Sequence, residues 1–356
     1  MTEGSETIGP ESVAAGPVPI PEGRRRDLES VREALLQAGR VVLSTHVNAD
    51  GDGAGSQVAV LDWLRRQGRT AVMVNPTPYP QAFEFLLDGE QVWTPRDAEG
   101  QRHLSEADCV LILDTSEPSR LGQVVDHLSS RSVVVMDHHP ATPESVGEVV
   151  ARDTSACAAG ELAYDLLTLD GELPSRRQAR ALYVAMVTDT GSFRFGNTTA
   201  RSHRVAASLV EAGVDVEEMF RSLHASFTRP GLDLLRRALD SLQVAGDEPV
   251  AWISFRQRDL DETGATAEDR EGLVEYPRRL QGIEVAILFR ELADGRTKIS
   301  LRSNGPTDVA AIARDLGGGG HPQAAGALLE DGLSTAEDRV VERVCRDVAV
   351  ALGAEG

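Results

Sequence analysis

The chain has 356 residues, of which 41% are hydrophobic, and this is enough for two domains with separate cores. Its 36 basic and 56 acidic side chains give a formal charge of −20, which argues against binding long duplex nucleic acid through phosphate contacts. No segment approaches the roughly 18 consecutive apolar residues of a membrane span, so we expect no membrane partner.

The N-terminal residues 1–25 predict a disordered tail. They contain Pro, Gly and acidic residues and lack the apolar core of a signal peptide, although Arg24 and Arg25 lie at their end. A helix is expected near 27–38. The folded part of the chain is therefore predicted to begin at residue 26.

Residues 26–227 predict an α/β domain with a parallel sheet. Short runs rich in Val, Ile and Leu alternate with helical patterns, as is typical of buried parallel strands. The runs are "RVVLSTH", "TAVMVN", "ADCVLILD" and "SVVVMD". Several of these runs end in acidic residues or histidines, and ligands of open α/β sheets bind beyond the carboxyl ends of the strands.

Residues 228–248 predict a helical linker, and 249–356 a second, smaller α/β domain. In the latter, Asp294 and Gly295 lie between two apolar runs, which predicts a β-hairpin. The three cysteines, Cys109, Cys157 and Cys345, have no CxxC spacing and lie in apolar surroundings, so we expect reduced cysteines in a cytoplasmic protein.

The segment "HVNADGDGAGS" raises the question of why a chain would place several acidic residues directly behind a strand. Taken singly, each residue has an ordinary explanation: Asp50 as a turn former, Asp114 as a helix N-cap, His139 as a surface histidine. The convergence of four such sites at one sheet edge favours metal binding instead. Further acidic residues and histidines are Asp52, Asp137, His138 and Asp189.

Oxygen and imidazole ligands in this mixture suit Mn²⁺, with Mg²⁺, Co²⁺ or Zn²⁺ as lesser candidates. Two histidines and four or five aspartates exceed the needs of one ion. They predict a pair of ions that activates water and neutralises the attacking and leaving oxygens in phosphoryl transfer.

The motifs "HVNADGDGAGS", "LDTS", "MDHHP" and "VTDTGSFRF" resemble the four successive motifs of the DHH phosphoesterase superfamily, and "GGGGHPQAAGA" resembles the signature of its DHHA1 domain. In its length and its lack of extra domains, the chain resembles the NrnA-like branch of this superfamily. That branch contains oligoribonucleases, 3′-phosphoadenosine-5′-phosphate phosphatases, and cyclic di-AMP and pApA phosphodiesterases. The resemblance implies a DHH catalytic domain over 26–227 and a DHHA1 substrate-recognition domain over 249–356.

The resemblance also implies the ligands of two Mn²⁺ ions. The first ion would be held by His46, Asp50 and Asp114, and the second by Asp52, Asp114, His138 and Asp189. His139 would contact the substrate phosphate and protonate the leaving oxygen, and Asp137 would orient a histidine. Asn48 would lie beside the nucleophilic water or phosphate, or serve as a loop hydrogen-bonding residue.

In the families that this chain resembles, the glycine-rich segment, here Gly317 to Gly320, binds the substrate end remote from the cleaved phosphate. A helix C-cap needs one glycine, whereas several in succession expose N–H groups to an anion, and Arg302 and His321 can add charge-assisted bonds. Arg194 can meet a phosphate or surface acids, and Asp269, like Glu271, is a substrate or hinge contact or part of a capped helix start. The predicted substrate-binding residues are Arg302, Ser303, Asn304, Gly318, Gly319, Gly320, His321, Arg194 and Asp269.

We therefore expect an Mn²⁺-dependent phosphodiesterase that cuts short nucleotides, as a monomer or homodimer. Cyclic di-AMP, pApA, short RNA and 3′-phosphoadenosine-5′-phosphate stay open as substrates. Three other interpretations are a manganese pyrophosphatase, whose family has a different second domain, a RecJ-type exonuclease, which adds a nucleic-acid-binding module, and a non-catalytic nucleotide sensor, which would lack metal ligands.

Overall fold

The computed structural model describes residues 16–129, 131–224, 228–246, 248–266, 268–270 and 272–353. The chain divides into two compact units, one ending at Ser226 and the other beginning at Phe227. Each unit has its own six-stranded sheet and hydrophobic core. The predicted α/β class, with a parallel sheet in the N-terminal part, is confirmed.

The first unit is built on a parallel sheet. Its strands are β1 (Arg40–Ser44), β2 (Thr70–Val74), β3 (Val92–Trp93), β4 (Cys109–Leu113), β5 (Ser132–Asp137) and β6 (Val149–Arg152). Their spatial order is β3-β2-β1-β4-β5-β6, and every neighbouring pair runs parallel. The residues of β4 are all buried, as the continuous apolar run "CVLIL" predicts.

The helices of this unit cover the sheet. They are α1 (Glu22–Gln37), α2 (Gly51–Arg66), α3 (Ala98–Glu106), α4 (Ala159–Leu167), α5 (Arg176–Asp189), α6 (Ala200–Glu211) and α7 (Val216–His224). Three 3₁₀ turns lie at Gln81–Leu86, Pro118–Arg120 and Gly122–His127. Helices α2 and α5 approach closely because Gly55 has no side chain: a Cβ there would lie 2.2 Å from the carbonyl oxygen of Ala181.

The strand order determines where a site can form. Strand β1 lies between β2 and β4, so the chain leaves β1 toward one side of the sheet and later returns on the other side. Ligands bind at such a reversal, beyond the carboxyl ends of the strands. The loops that follow β1, β4 and β5 are therefore adjacent at one edge.

The second unit has a mixed sheet. Its strands are β7 (Gln243–Val244), β8 (Val250–Phe255), β9 (Val285–Glu291), β10 (Thr297–Ser303), β11 (Gly319–His321) and β12 (Ala324–Leu329), in the order β11-β12-β10-β9-β8-β7. Only the β8–β9 pair runs parallel among these described strands. The hairpin predicted at Asp294 and Gly295 is confirmed: it joins β9 to β10, and Gly295 has a φ of +83°.

The helices of the second unit pack on both faces of its sheet. They are α8 (Arg229–Asp240), α9 (Gln257–Thr263), α10 (Glu275–Arg278), α11 (Val309–Asp315) and α12 (Leu333–Gly353), with a 3₁₀ turn at Glu268–Arg270. Alternate residues of β9 point to opposite faces, so Ile287 joins the core under α11 and α12 while Leu288 joins the core under α8.

Two predicted boundaries differ from the structure. Residues 16–25 of the predicted tail are ordered, because Val18 and Arg24 are buried in the first unit and α1 begins at Glu22; residues 1–15 lie outside the described part. Residues 228–248, predicted as a linker, instead form α8 and β7, apart from residue 247, which lies outside the described part. The apolar face of α8, with Leu234 and Ala238, is buried in the second core.

The three cysteines are free in the structure, and Cys109 and Cys157 are buried. Their reduced state stays a prediction. None of the helices in the described residues is long and apolar enough to cross a membrane.

Candidate metal centre

Three neighbouring strands of the first unit deliver the predicted ligands to one edge of the sheet. His46 follows β1, Asp114 follows β4, and His138 follows β5. Asp50 and Asp52 come from the start of α2, and Asp189 is the last residue of α5. The strand reversal between β1 and β4 thus lies directly beneath this cluster.

The six predicted ligands form two groups that lie against each other. His46, Asp50 and Asp114 make up one group, and Asp52, His138 and Asp189 the other; within each group the ligand atoms lie within 4.8 Å of one another. Asp114 joins the groups, since its Oδ2 lies 3.2 Å from His46 Nε2 and its Oδ1 lies 3.4 Å from His138 Nε2.

Two of the predicted site residues have an unusual backbone conformation. Asp114 has a φ of +62° and Asn48 a φ of +53°, a region that non-glycine residues rarely adopt. Asp114 is held in this conformation by a hydrogen bond from its N–H to the carbonyl of Met136, at 3.0 Å. Strain of this kind clusters at functional sites, where the surrounding fold overrides the local preference.

Backbone groups orient both imidazoles and one carboxylate. The Nδ1 atoms of His46 and His138 lie 2.9 Å from the carbonyl of Val47 and 3.3 Å from that of Ala156, which leaves each Nε2 toward the carboxylates. Asp52, at 1% exposure, accepts hydrogen bonds from two N–H groups at the start of α4. Its negative charge is favoured there by the helix dipole.

Without a cation, the cluster must hold protons. Burial lowers the pKa of His46 and of His138, but the neighbouring carboxylates outweigh this effect and raise both values to about 10. Burial and the charge of Asp114 raise the pKa of Asp52 well above its usual range, and burial raises that of Asp189 to about 6. The site therefore carries excess negative charge that protons or metal ions must balance.

The donor atoms fit divalent cations. His46 Nε2, His138 Nε2 and Asp114 Oδ1 are buried and have no well-aligned hydrogen-bond partner among the described groups. Buried polar atoms without partners are costly, and a cation bound between them would satisfy all three. The set combines imidazole nitrogen and carboxylate oxygen without thiolate, which is compatible with Mn²⁺ and related ions.

His139 and Asp137 form a hydrogen-bonded pair at the edge of this cluster, where His139 also groups with Asp114 and His138. The Nδ1 of His139 lies 2.9 Å from Asp137 Oδ1, and the His139 side chain is 44% exposed. Asp137 Oδ2 accepts a hydrogen bond from Ser116, which in turn accepts one from Arg152 at 2.6 Å. Neither Ser116, the last residue of the motif "LDTS", nor Arg152 was predicted as a site residue, because serine and arginine at these positions do not by themselves indicate a role.

The remaining predicted site residues of the first unit, Asn48 and Arg194, make hydrogen bonds outside the ligand cluster. Asn48 is exposed, and its backbone N–H donates to Thr77 Oγ1 at 2.8 Å. Arg194 is exposed and donates to the carbonyl of Gly191. Sequence reasoning also missed Asn197, whose amide donates to the Asp189 carboxylate at 3.0 Å.

The predicted substrate-binding residues of the second unit make mostly local contacts. Arg302 pairs with Glu275 at 3.2 Å, and Ser303 is buried and donates to Glu284. Asn304 accepts a hydrogen bond from Arg278. Asp269 accepts hydrogen bonds from the hydroxyl and backbone of Thr266 and from the Thr228 hydroxyl, which ties the start of α8 to the 3₁₀ turn.

The glycine segment packs against β12. A Cβ at Gly318 would lie 2.1 Å from the carbonyl oxygen of Gly326, and one at Gly320, whose φ is +145°, would lie 2.5 Å from that of Ala324. A Cβ at Gly319 would meet nothing within 4 Å. Close packing thus requires glycine at two of the three positions, independently of any ligand. The side chain of His321 and residue Glu271 lie outside the described part.

Comparison with known proteins identifies both units. Residues 40–186 match the model of the DHH family N-terminal domain, and residues 250–349 match the DHHA1 domain. A bifunctional oligoribonuclease and PAP phosphatase NrnA of Thermus thermophilus is 32% identical over 335 residues, which cover 93% of this chain and 98% of that protein. Cyclic-di-AMP phosphodiesterase GdpP of Geobacillus thermodenitrificans is 25% identical over 85% of this chain, which spans 46% of that protein.

Among solved structures, an exopolyphosphatase-related protein of Bacteroides fragilis has a TM-score of 0.84 at 23% identity, over 90% of this chain and 96% of that one. At this identity the likeness supports the fold alone. The family models and the NrnA relative together show that the chain belongs to the DHH family of phosphoesterases, in the NrnA-like branch with a DHH domain followed by a DHHA1 domain.

Proposed function

We propose that the protein is a phosphodiesterase that uses two Mn²⁺ ions to hydrolyse short nucleotides, such as pApA, cyclic di-AMP and short RNA, to mononucleotides. The observation that carries this proposal is the convergence of six imidazole and carboxylate ligands at the strand reversal of a DHH domain. The names of the NrnA and GdpP relatives support the substrate class.

In the proposed centre, Asp114 would serve both ions, because its two oxygens face different histidines. His46 and Asp50 complete one set of ligands, and Asp52, His138 and Asp189 complete the other. Cations bound there would supply an activated water and would offset the charge that develops on the phosphate. Mg²⁺ and Co²⁺ are proposed as substitutes.

His139 is proposed to donate the proton that the leaving oxygen takes. Its Nδ1 is held by Asp137, so the exposed ring presents its Nε2 to a substrate. Imidazole is suited to proton transfer near neutral pH, and a fixed orientation lets it transfer the proton without prior rotation. Asn48 is proposed to contact the water or the phosphate.

The second unit is proposed to bind the substrate end remote from the cleaved phosphate. Arg302 is about one third exposed and lies beside Glu275, so the guanidinium can exchange this partner for a phosphate. Gly319, Asn304 and the segment that ends at His321 would supply neutral contacts. Arg194 and Asp269 stay weaker candidates for substrate contacts.

The free cysteines favour a reducing compartment, so we propose a cytoplasmic location. A second candidate activity is the hydrolysis of 3′-phosphoadenosine-5′-phosphate. It is supported by the name of the NrnA relative, which combines oligoribonuclease and PAP phosphatase.

The test is product analysis of the purified protein with Mn²⁺. The substrates are pApA, cyclic di-AMP, a five-nucleotide RNA, 3′-phosphoadenosine-5′-phosphate and pyrophosphate, and Asp114→Asn serves as the inactive control. AMP from the dinucleotides that disappears with Asp114→Asn supports the proposal, and the relative rates rank the substrates.

Three other results would contradict it. Turnover of pyrophosphate alone would indicate pyrophosphatase chemistry. Nucleotide binding without turnover in Mn²⁺ would favour a sensor. Full turnover by Asp114→Asn would remove the proposed bridge.

A further inference from the structure

Asn197 returns to the metal centre after an unusual turn. Directly after α5, the residues Gly191, Ser192 and Phe193 have φ values of +55°, +61° and +61°. Three consecutive residues in the left-handed region are uncommon, and two of them are not glycine. This turn bends the chain back, so that Asn197 lies against the end of α5 and contacts Asp189.

The amide of Asn197 joins Asp189 to a second segment. Its Nδ2 donates to the backbone carbonyl of Asp189 at 3.1 Å, to the Asp189 carboxylate at 3.0 Å and to the carbonyl of Cys157 at 2.8 Å. Within the described residues, no other donor hydrogen-bonds this carboxylate. Asn197 is therefore the hydrogen-bond donor that orients the Asp189 carboxylate, while His138 Nε2 lies 3.7 Å from the same oxygen.

The segment that Asn197 reaches also holds the two other members of the same ligand group. The carbonyl of Ala156 lies 3.3 Å from His138 Nδ1, and the N–H groups of Ala159 and Gly160 donate to the two oxygens of Asp52 at 2.6 and 2.8 Å. Residues 156–160 are therefore a common support for the ligands of one ion. Asn197 connects the third ligand to this support.

We propose that Asn197 is a positioning residue, which fixes the Asp189 carboxylate to the segment 156–160 and so presets the group Asp52, His138 and Asp189 for one metal ion. The inference rests on the proposed metal centre. Partners of this kind limit the motion of a ligand before the metal arrives, and their loss typically weakens metal binding by about 10–100-fold.

The test measures Mn²⁺ binding by isothermal titration calorimetry, independently of turnover. Asn197→Ala removes the amide, and Asn197→Leu removes it while keeping a similar volume, so that one variant serves if the other is unstable. Gln178→Ala is the matched control, since Gln178 is a buried amide in the capping box at the opposite end of α5. Asp189→Asn and the double variant Asp189→Asn/Asn197→Ala complete a double-mutant cycle.

We expect two Mn²⁺ sites in the wild type and in Gln178→Ala. In the Asn197 variants, one site weakens by about 10–100-fold while the other changes by less than about twofold. In the Asp189→Asn background, Asn197→Ala adds little, because Asn197 acts through Asp189.

Equal weakening of both sites, or additive losses in the cycle, would mean that Asn197 acts on the fold in general, and would overturn the inference. Wild-type affinity at both sites in the Asn197 variants would overturn it as well, while leaving the proposed function intact. Failure of the wild type to bind Mn²⁺ would instead remove the proposed metal centre, and with it this inference.

Discussion

Arg24 is predicted to be a major source of stability in the first unit. It lies in the first turn of α1 and contacts three acids: Asp153 at 2.8 Å, and Glu161 and Asp165 each at 2.7 Å. Its side chain is 2% exposed, and those of Glu161 and Asp165 are 1% and 0% exposed. Arg24→Met would keep most of the apolar stem and remove the charge.

The magnitude follows from the acids that stay behind. Removing one partner of a buried ion pair typically costs about 3–5 kcal/mol, because the other charge is left without compensation. Arg201 also contacts Glu161 and Asp165 and remains in the variant. We therefore expect a loss near the lower limit, about 3 kcal/mol.

Arg25→Met is the control, because Arg25 is the next residue along the same helix. Its side chain is 43% exposed and lies 3.9 Å from Glu29, so we expect a change below about 0.5 kcal/mol. The free energy of unfolding is measured in urea by tryptophan fluorescence in a Trp252→Phe background, which leaves Trp63 and Trp93 of the first unit as the reporters. A loss below about 1 kcal/mol for Arg24→Met, or equal losses for both variants, would refute the reasoning.

Three further predictions concern the site and its support. Mn²⁺ affinity should rise from pH 5.5 to 7.5, because the metal must displace protons from Asp189, whose pKa is about 6, and from His46 and His138, whose pKa values are about 10. Calorimetry in buffers of different ionisation enthalpy measures this proton release, and its absence would contradict the prediction. Gly318→Ala should destabilise the second unit by about 1–3 kcal/mol in thermal unfolding, because the added Cβ would clash with β12, whereas Gly319→Ala adds no clash and should have little effect. Equal effects of the two substitutions would show that the packing at Gly318 is looser than described. Ser116→Ala should lower kcat by about tenfold at unchanged KM, because it removes a hydrogen bond to Asp137, the residue that orients His139, and Ser116 itself is not among the proposed substrate contacts. An increase in KM alone would argue against this role.

The sequence predicted the parallel sheet and the gathering of ligands for a definite physical reason. Buried parallel strands appear as continuous apolar runs, and their carboxyl ends meet at one edge of the sheet. Polar residues that directly follow such runs, such as His46, Asp114 and His138, therefore come together whatever the intervening helices do. The same logic reaches Asp189 less directly, because it lies at the end of a helix.

Other features depend on contacts that no local pattern reveals. Arg24 and Arg25 are both arginines and neighbours in sequence. Only the packing of α1 against α4 decides that the side chain of Arg24 is buried and that of Arg25 exposed. The segment 228–248 was predicted as a helical linker because a strand-rich pattern begins only near Pro249. Leu234 and Ala238 nevertheless belong to a core that also contains Ile253, Leu273 and Ala286, and only the tertiary structure brings these residues together. Likewise, the packing of Gly318 against Gly326 can be predicted only when the pairing of β11 with β12 is known.

The dispersal of the ligands along the chain has a consequence for biosynthesis. Asp189 follows His46 by about 140 residues, and a ribosome that adds about 5–20 residues per second needs roughly 7–30 s to cover this distance. During that interval the emerging chain already carries the acidic loop, but it lacks α5 and the support that α4 provides for Asp52. The nascent chain therefore cannot assemble all six ligands of the proposed metal centre, and metal binding there would wait until the first unit has been synthesised and has folded.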